Sequence, residues 1–565
     1  MKRCIPYIVL GIAGLLLLFR CFYSFSWSDE SFYLTVAHRF WLGERIIADE
    51  WYTTQLSTPL LLPFYAMFQW FTGGNEGVYL YFRLLYWLFS TFTAFFTYFT
   101  LKKYNSSMAS LACALLYFFY ARANIGGLSY YNVTLTCVLL SVLLIYVQIS
   151  SKKYVGWKLY VTGILLAIAV VNTPFLALPY FIMAGVLIVN RKCRGYRKEL
   201  LEVIAGTATA AAFYLGYVLS RVSVDELMLN IPHILNEPEI QSTNPLLVIP
   251  LIFLRIAWRY KWTIGLITIS FFYVLLKKKK QMKLSEKELY GAIVINFLAF
   301  LINTWLSWGL IGCINIAGML FLTFLLVILG KWKETDRGVL GVFGIAGLSV
   351  SIGFSFSSDT GLDAMTIGFV LIGMGAVLLA FRLHCFRKII RIATWIMVLQ
   401  TMTLRLLSVY RDAPITELNT LIEEGPAKYL LTTEEHVRQY DDLRAAIDQY
   451  VREDDVVFYS KWCFWSYLCT NNDYGVPSSW RMAFDSPRLE EYYELNPEKI
   501  PTCIFVLNPS YGNFESSLIQ GNEKVDTPNE NKMEGYLADY IEEQGYEKIE
   551  LDCATIFRSK EPSGS

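Results

Sequence analysis

Long apolar segments separated by short basic turns fill the chain from residue 5 to residue 409. They fall at 5–25, 80–101, 108–122, 131–150, 156–172, 175–190, 200–220, 261–276, 289–306, 309–330, 338–355, 364–381 and 389–409. A helix needs roughly 20 apolar residues to cross a bilayer, and most of these segments come close. The pattern predicts a polytopic α-helical membrane protein with about thirteen transmembrane helices. Two short breaks, at Asn172-Thr173-Pro174 and around residues 307–309, divide otherwise continuous runs; Pro restricts the residue before it. The first run, 6–19 behind Lys2 and Arg3, has the look of a signal peptide. No small-x-small cleavage site follows it, only Arg20, Cys21 and aromatics, so it is read as a retained first helix.

Lys and Arg fall at alternate turns: Lys2/Arg3, Lys102/Lys103, Lys152/Lys153, 191–198, 277–280, Lys331/Lys333/Arg337 and 382–391. Positive charge marks the cytoplasmic side. The alternation therefore predicts a cytoplasmic N-terminus and an extracytoplasmic C-terminus. A transmembrane domain spans 1–410, its first extracytoplasmic loop 26–79, and a polar, acidic extracytoplasmic domain occupies 411–565.

In the first loop, Phe32, Val36, Phe40 and Trp41 recur at helical spacing, as do Leu60, Leu61, Phe64, Met67, Phe68 and Phe71. Each set predicts a helix lying in the interface with one face in lipid. Residues 222–260, also outside, read as a flap over the loop or another interfacial helix. In the C-terminal domain, 434–451 predicts an amphipathic helix with Val437, Leu443, Ile447 and Val451 inward. Residues 455–459, 502–507 and 546–557 predict strands and 533–544 a second helix, hence a small α/β domain. Cys463, Cys469, Cys503 and Cys553 lie in it, so one or two disulfides are expected, without a readable connectivity.

Composition agrees. Charged residues make up 17% and hydrophobic ones 55% of the 565 residues, against about 25% charged in soluble proteins. A net charge of +1 argues against nucleic acid as a partner. Neither the four His nor the eleven Cys form a zinc-binding pattern.

Chemistry concentrates where the first span ends. Asp29 and Glu30 stand at the membrane–water boundary, with Tyr33 four residues from Asp29 and so on the same helix face. A carboxylate beside apolar surface can serve as a general base. Asp29 is equally placed to favour the helix N-terminus electrostatically, and the two roles are compatible. Asp49 and Glu50 offer hard oxygens to a divalent metal, or form a solvated turn. In the next outside loop, Tyr130, Tyr131 and Asn132 suit stacking and hydrogen bonding to a sugar, or belong to an aromatic belt. Asp359, between later spans, is a further polar contact for a sugar or a turn residue.

A first span followed by Asp29-Glu30-x-x-Tyr33, then Ala37-x-Arg39-x-x-x-Gly43, with Arg83-Leu84 opening the next span, resembles the GT-C superfamily of integral-membrane glycosyltransferases. The bacterial relatives of protein O-mannosyltransferases and the lipid A aminoarabinose transferases are the most similar branches. The resemblance covers the span layout, the first loop and the outer domain. It implies a polyprenyl-phosphate-linked sugar donor, transfer to an extracytoplasmic acceptor (glycan, lipid or protein), and membrane lipids as surroundings. It implies Asp29 as the base, with Glu30 beside it, and inverting single displacement. The phosphate would meet cations, from Arg39, Arg83 and Arg122 or a divalent metal, with Tyr33 as a further donor-binding residue. The sequence departs from the family at Gln55-Leu56-Ser57-Thr58-Pro59-Leu60, where relatives carry Lys-Pro-Pro-Leu. Phosphate binding therefore falls to the arginines, Arg221 included.

Two other classes stay open. A transporter or lipid-linked-sugar flippase would keep ionisable groups near mid-membrane, whereas the acids here cluster at the outer surface. A non-catalytic membrane protein binding cell-wall polymer would not need Asp29.

Overall fold

A computed structural model describes residues 4–27, 29–151, 154–189, 196–235, 261–280, 339–356, 362–382, 387–460, 463–480, 486–508 and 535–560, with a few single positions between them. The membrane part comprises α1 (Ile5–Arg20), α2 (Asp29–Trp41), α3 (Thr58–Thr72), α4 (Val78–Lys102), α5 (Ser107–Phe118), α6 (Tyr130–Ser151), α7 (Gly156–Asn172) and α8 (Ala177–Val189). It continues through α9 (Arg197–Arg221), α10 (Val224–Leu235), α11 (Lys261–Lys279), α12 (Ile345–Phe356), α13 (Leu362–Arg382) and α14 (Arg387–Leu407). Helices thus stand where the apolar segments predict them, except 289–306 and 309–330, which lie outside the described residues.

Among the described residues three helices, α4, α6 and α9, are long and apolar enough to cross a membrane. Their outward side chains include Phe92, Phe99, Phe213 and Leu215, all exposed. Such contiguous apolar surface suits lipid rather than water, and the chain is a membrane protein. The bundle is built around α5, whose residues from Ala109 to Phe118 are all buried. It touches α1, α4, α13 and α14. Ser106 caps its start, accepting from the Ala109 backbone N–H at 3.3 Å. Alanine and cysteine on α5 let its neighbours approach closely, the usual means of helix association in lipid. The same device recurs between α7 and α9: a Cβ on Gly206 would overlap the Tyr160 carbonyl oxygen, and one on Gly163 would overlap that of Val203.

Beyond α14 the chain forms a β1–β2 pair (Thr420–Leu421, Leu431–Thr432), α15 (Glu434–Tyr450), β3 (Val456–Tyr459), β4 (Asp473–Tyr474) and α16 (Ser486–Leu495). It ends with β5 (Cys503–Leu507), α17 (Tyr536–Gln544), β6 (Glu547–Glu550) and β7 (Ala554–Arg558). The sheet order is β4-β3-β5-β7-β6, parallel from β4 to β5 and antiparallel thereafter. Thr433 caps α15 by accepting from the His436 N–H, and Leu443 and Ile447 face the core as expected. The expected disulfides are absent: Cys463, Cys469, Cys503 and Cys553 are free thiols, the first, third and fourth fully packed. They behave as small apolar core residues.

The composition break near residue 411 is not a break in packing. Phe25 and Trp27 from the first loop share one aromatic nucleus with Tyr440 and Trp465, the last two stacked at 4.3 Å. Backbone bonds join Ser24 and Phe22 to Leu431. In consequence α2 does not lie in lipid: every residue from Glu30 to Phe40 is buried, covered by the C-terminal unit. Only α3 keeps an exposed apolar face, at Met67, Trp70 and Phe71. The start of the 222–260 stretch is helix α10. Its His233 stacks on Trp51 at 4.3 Å, and Arg488 of α16 donates to the His233 carbonyl at 2.8 Å. Residues 236–249 lie outside the described residues.

Candidate active site

After α1 ends at Arg20, eight residues precede Asp29, the first residue of α2. A carboxylate there meets the unpaired N–H groups and positive end of the helix. The Asp29 side chain is 18% exposed, unlike its buried neighbour. Its Oδ2 accepts from the Tyr410 hydroxyl at 2.6 Å, and the Arg411 guanidinium stands 3.5 Å away. Burial, reinforced by the adjacent Asp29 charge, pushes the Tyr410 phenol well above its ordinary pKa. It therefore stays protonated and donates. Arg411 has φ 51°, a left-handed backbone that a non-glycine residue adopts only when its surroundings impose it. That turn, directly after α14, sets Tyr410 and Arg411 side by side around the carboxylate.

Glu30 has another part. It is buried and meets Arg83 of α4 two-pronged, Nε to Oε1 at 2.7 Å and Nη2 to Oε2 at 2.5 Å. The remaining Arg83 nitrogen donates to the carbonyls of Cys21, Tyr23 and Ser24. A carboxylate so engaged is a poor base, and a guanidinium so engaged is a poor phosphate ligand. The pair fixes the α1–α2 connection against α4.

A cavity opens beside this pair, lined by Arg20, Ser26, Glu30, Arg83, Arg405 and Tyr410, with Asn124 and Gly126 from the loop before α6. Asn124 adopts φ 57° and ties that loop to the end of α14. It donates to the Leu404 carbonyl at 3.1 Å and receives Arg405 at its own carbonyl at 2.9 Å. Gly127 packs on Glu30, where a Cβ would lie 3.3 Å from Oε1. Sequence reasoning did not single out Arg20, Arg405 or Tyr410. The available signal was an arginine inside an otherwise apolar span, costly in lipid unless engaged.

Tyr33, Tyr130 and Tyr131 form an aromatic cluster: Tyr33 meets Tyr130 edge-on at 5.7 Å, and Tyr130 and Tyr131 rings lie 3.8 Å apart. The Arg122 guanidinium sits 4.1 Å above Tyr131. Burial, then the Asp29 charge, raises the Tyr33 pKa, so Tyr33 too is a neutral neighbour of the carboxylate. Asn132 donates to the Ile125 and Gly127 carbonyls at 3.1 and 2.9 Å, which holds the loop rather than a sugar. Asp359 lies outside the described residues.

Arg39 is fully buried and far from solvent. It pairs with Glu44 and, at 2.9 Å, with Glu50, and donates to Val476 and Tyr492 of the C-terminal unit. Asp49 receives Arg45 at 2.9 Å. Asp49 and Glu50 are buried rather than set in a solvated turn: both Asp49 oxygens face Arg45, and Glu50 takes Arg39 at Oε2 and the Tyr52 N–H at Oε1. Among the described residues no group of three His, Cys, Asp or Glu is placed to hold a metal.

No protein-family model and no curated protein matches the chain. Among solved structures, the crystal structure of ArnT from Cupriavidus metallidurans in the apo state is similar over 99% of this chain and 98% of that chain, with 9% identity and a TM-score of 0.45. At that distance no residue assignment is carried across, and the site stands on this chain's own geometry.

Proposed function

We propose that this membrane protein is a GT-C-like glycosyltransferase that moves a sugar from a polyprenyl-phosphate donor to an extracytoplasmic hydroxyl. The observation that carries the reading is Asp29: a partly exposed carboxylate at the end of the first span, oriented by a non-ionising phenol beside an arginine-lined cavity. In the reaction, Asp29 takes the proton of the acceptor hydroxyl as its oxygen attacks the anomeric carbon. The bond from that carbon to the phosphate oxygen breaks, and its electron pair leaves on polyprenyl phosphate. One displacement inverts the anomeric centre. Arg411 and Tyr410 hold Asp29 in position, which reduces the reorganisation needed at the transition state. Tyr33, Tyr130 and Tyr131 offer ring faces next to the carboxylate for the sugar.

The test is turnover of a panel of polyprenyl-phosphate sugars by purified protein in lipid, with hydroxylated acceptors present. The expected products are free polyprenyl phosphate and a glycoside of inverted configuration. Movement of intact lipid-linked sugar across vesicle bilayers, with no donor cleaved, would replace this reading by transport.

A further inference from the structure

The cavity brings together three arginines and one carboxylate, and the carboxylate is already committed. Glu30 spends both oxygens on Arg83. Arg20 and Arg405, each more than nine-tenths buried, are left without an acidic partner in the lining. Arg20 ends α1 and donates to the Tyr23 carbonyl at 2.7 Å and the Ser408 carbonyl at 3.0 Å. Arg405, in the last turn of α14, donates to the Asn124 carbonyl and its side-chain oxygen at 2.9 and 3.1 Å. These are neutral acceptors, which satisfy N–H groups without cancelling charge. The Nε atoms of both arginines are buried with no hydrogen-bond partner among the described residues. A Cβ on Gly126 would come into contact with the Arg83 stem at 3.6 Å and with Arg405 Nη2 at 3.9 Å, space that the glycine leaves free beside both arginines.

Two desolvated guanidinium groups with unused donors and no counter-charge are favourable only if an anion completes them. The guanidinium fork matches planar or tetrahedral oxyanions, phosphate above all. We propose that Arg20 and Arg405 form the binding site for a phosphate-class oxyanion, with Arg83 as a fixed charge behind them. The inference rests on the glycosyltransferase reading only for the source of that oxyanion, a lipid phosphate; the charge excess stands without it. It also explains the absence of Lys from the 55–60 stretch: the cation function sits instead on the first and last described spans. Tyr410 lines the cavity and hydrogen-bonds Asp29, so the bound phosphate would lie one side chain from the base.

The experiment is equilibrium binding to the whole chain in lipid nanodiscs, with short-chain polyprenyl phosphate, the corresponding polyprenol and inorganic phosphate as probes. Wild type, Arg20→Gln, Arg405→Gln, Arg405→Lys and Gly216→Ala are compared, each checked for monodispersity and unfolding temperature. Polyprenyl phosphate should bind and polyprenol should not. Each Gln variant should weaken binding about tenfold to a hundredfold, the weight of one or two charge-assisted hydrogen bonds. Arg405→Lys, which keeps the charge and tests the site should a Gln variant fail to fold, should lose less. Gly216→Ala, outside the cavity lining and with nothing within 4 Å of its Cβ, should bind as wild type does. Inorganic phosphate bound with the same variant sensitivity, and no gain from the polyprenyl chain, would support the site and assign it to a free oxyanion. Equal binding of polyprenol and polyprenyl phosphate, or affinity unchanged in the Arg20 and Arg405 variants, overturns the proposal. Intact binding without sugar transfer by wild type would count against the transferase reading alone.

Discussion

At the scale of residues, the molecule separates charges that work from charges that hold. Glu30 and Arg83 lie 53 positions apart in sequence, so nothing in the local pattern marks them as partners. Adjacent carboxylates at the start of a helix look alike until one is seen to be buried against a guanidinium and the other partly exposed. Position after the first span singles out Asp29 in the sequence; Arg20 and Arg405 were hidden because an arginine near a span end ordinarily snorkels to the interface. Arg83→Gln should leave Glu30 buried and unpaired and cost about 3–5 kcal/mol. Adding Glu30→Gln should recover part of it, as read from unfolding temperatures in detergent. His38 carries a pH signature. It is buried, donates from Nε2 to the Thr470 carbonyl at 2.8 Å and accepts the Tyr65 hydroxyl at Nδ1, also at 2.8 Å. Burial pushes its pKa down from 6.5 to about 4. Below pH 6.5 the unfolded chain takes up a proton that the fold refuses, so this stability is complete above about 6.5 and lost as pH falls toward about 4. The loss is on the order of 3 kcal/mol. His38→Gln should flatten that part of the stability–pH curve; an unchanged slope would show that His38 titrates normally.

At the scale of elements, helices were legible and their surroundings were not. Apolar periodicity says that a face is buried without saying whether lipid or protein buries it. For α2, the polar residues Glu30, His38 and Arg39, all buried, are what distinguish a protein-covered helix from one lying in the interface. In the C-terminal unit α15, α17, β3, β5 and the β6–β7 region followed their sequence pattern, whereas the two-residue strands β1, β2 and β4 and helix α16 did not. The mixed sheet order did not, because strand neighbours are chosen by tertiary packing. Close helix approach was equally invisible. On α9, Gly206 touches the α7 backbone while Gly216 has nothing within 4 Å. Gly206→Ala should force α7 and α9 apart and destabilise by about 1–3 kcal/mol. Gly216→Ala should stabilise by about 0.5–1 kcal/mol through helix propensity alone. Effects of the same sign in thermal unfolding would contradict this packing.

At the scale of the whole molecule, the first loop and the C-terminal unit act as one body over the bundle. Arg39 and Lys499 converge on Glu44, Trp51 donates its backbone N–H to Pro477, and Asp412 receives the Phe25 N–H at 2.7 Å. This body holds Asp29 at the mouth of the bundle, with Tyr410 and Arg411 supplied by the chain as it leaves the last described span. Separate domains read from composition thus share a core, and Tyr410 and Arg411 reach Asp29 across the boundary. The most direct test of that account is sugar transfer by Asp29→Asn beside wild type, in lipid, with the same donor panel. The account predicts a variant that inserts and unfolds like wild type yet loses transfer by about 10²–10⁴-fold, the range expected for removing a general base. Transfer at the wild-type rate would remove Asp29 from the mechanism and contradict the account at its centre.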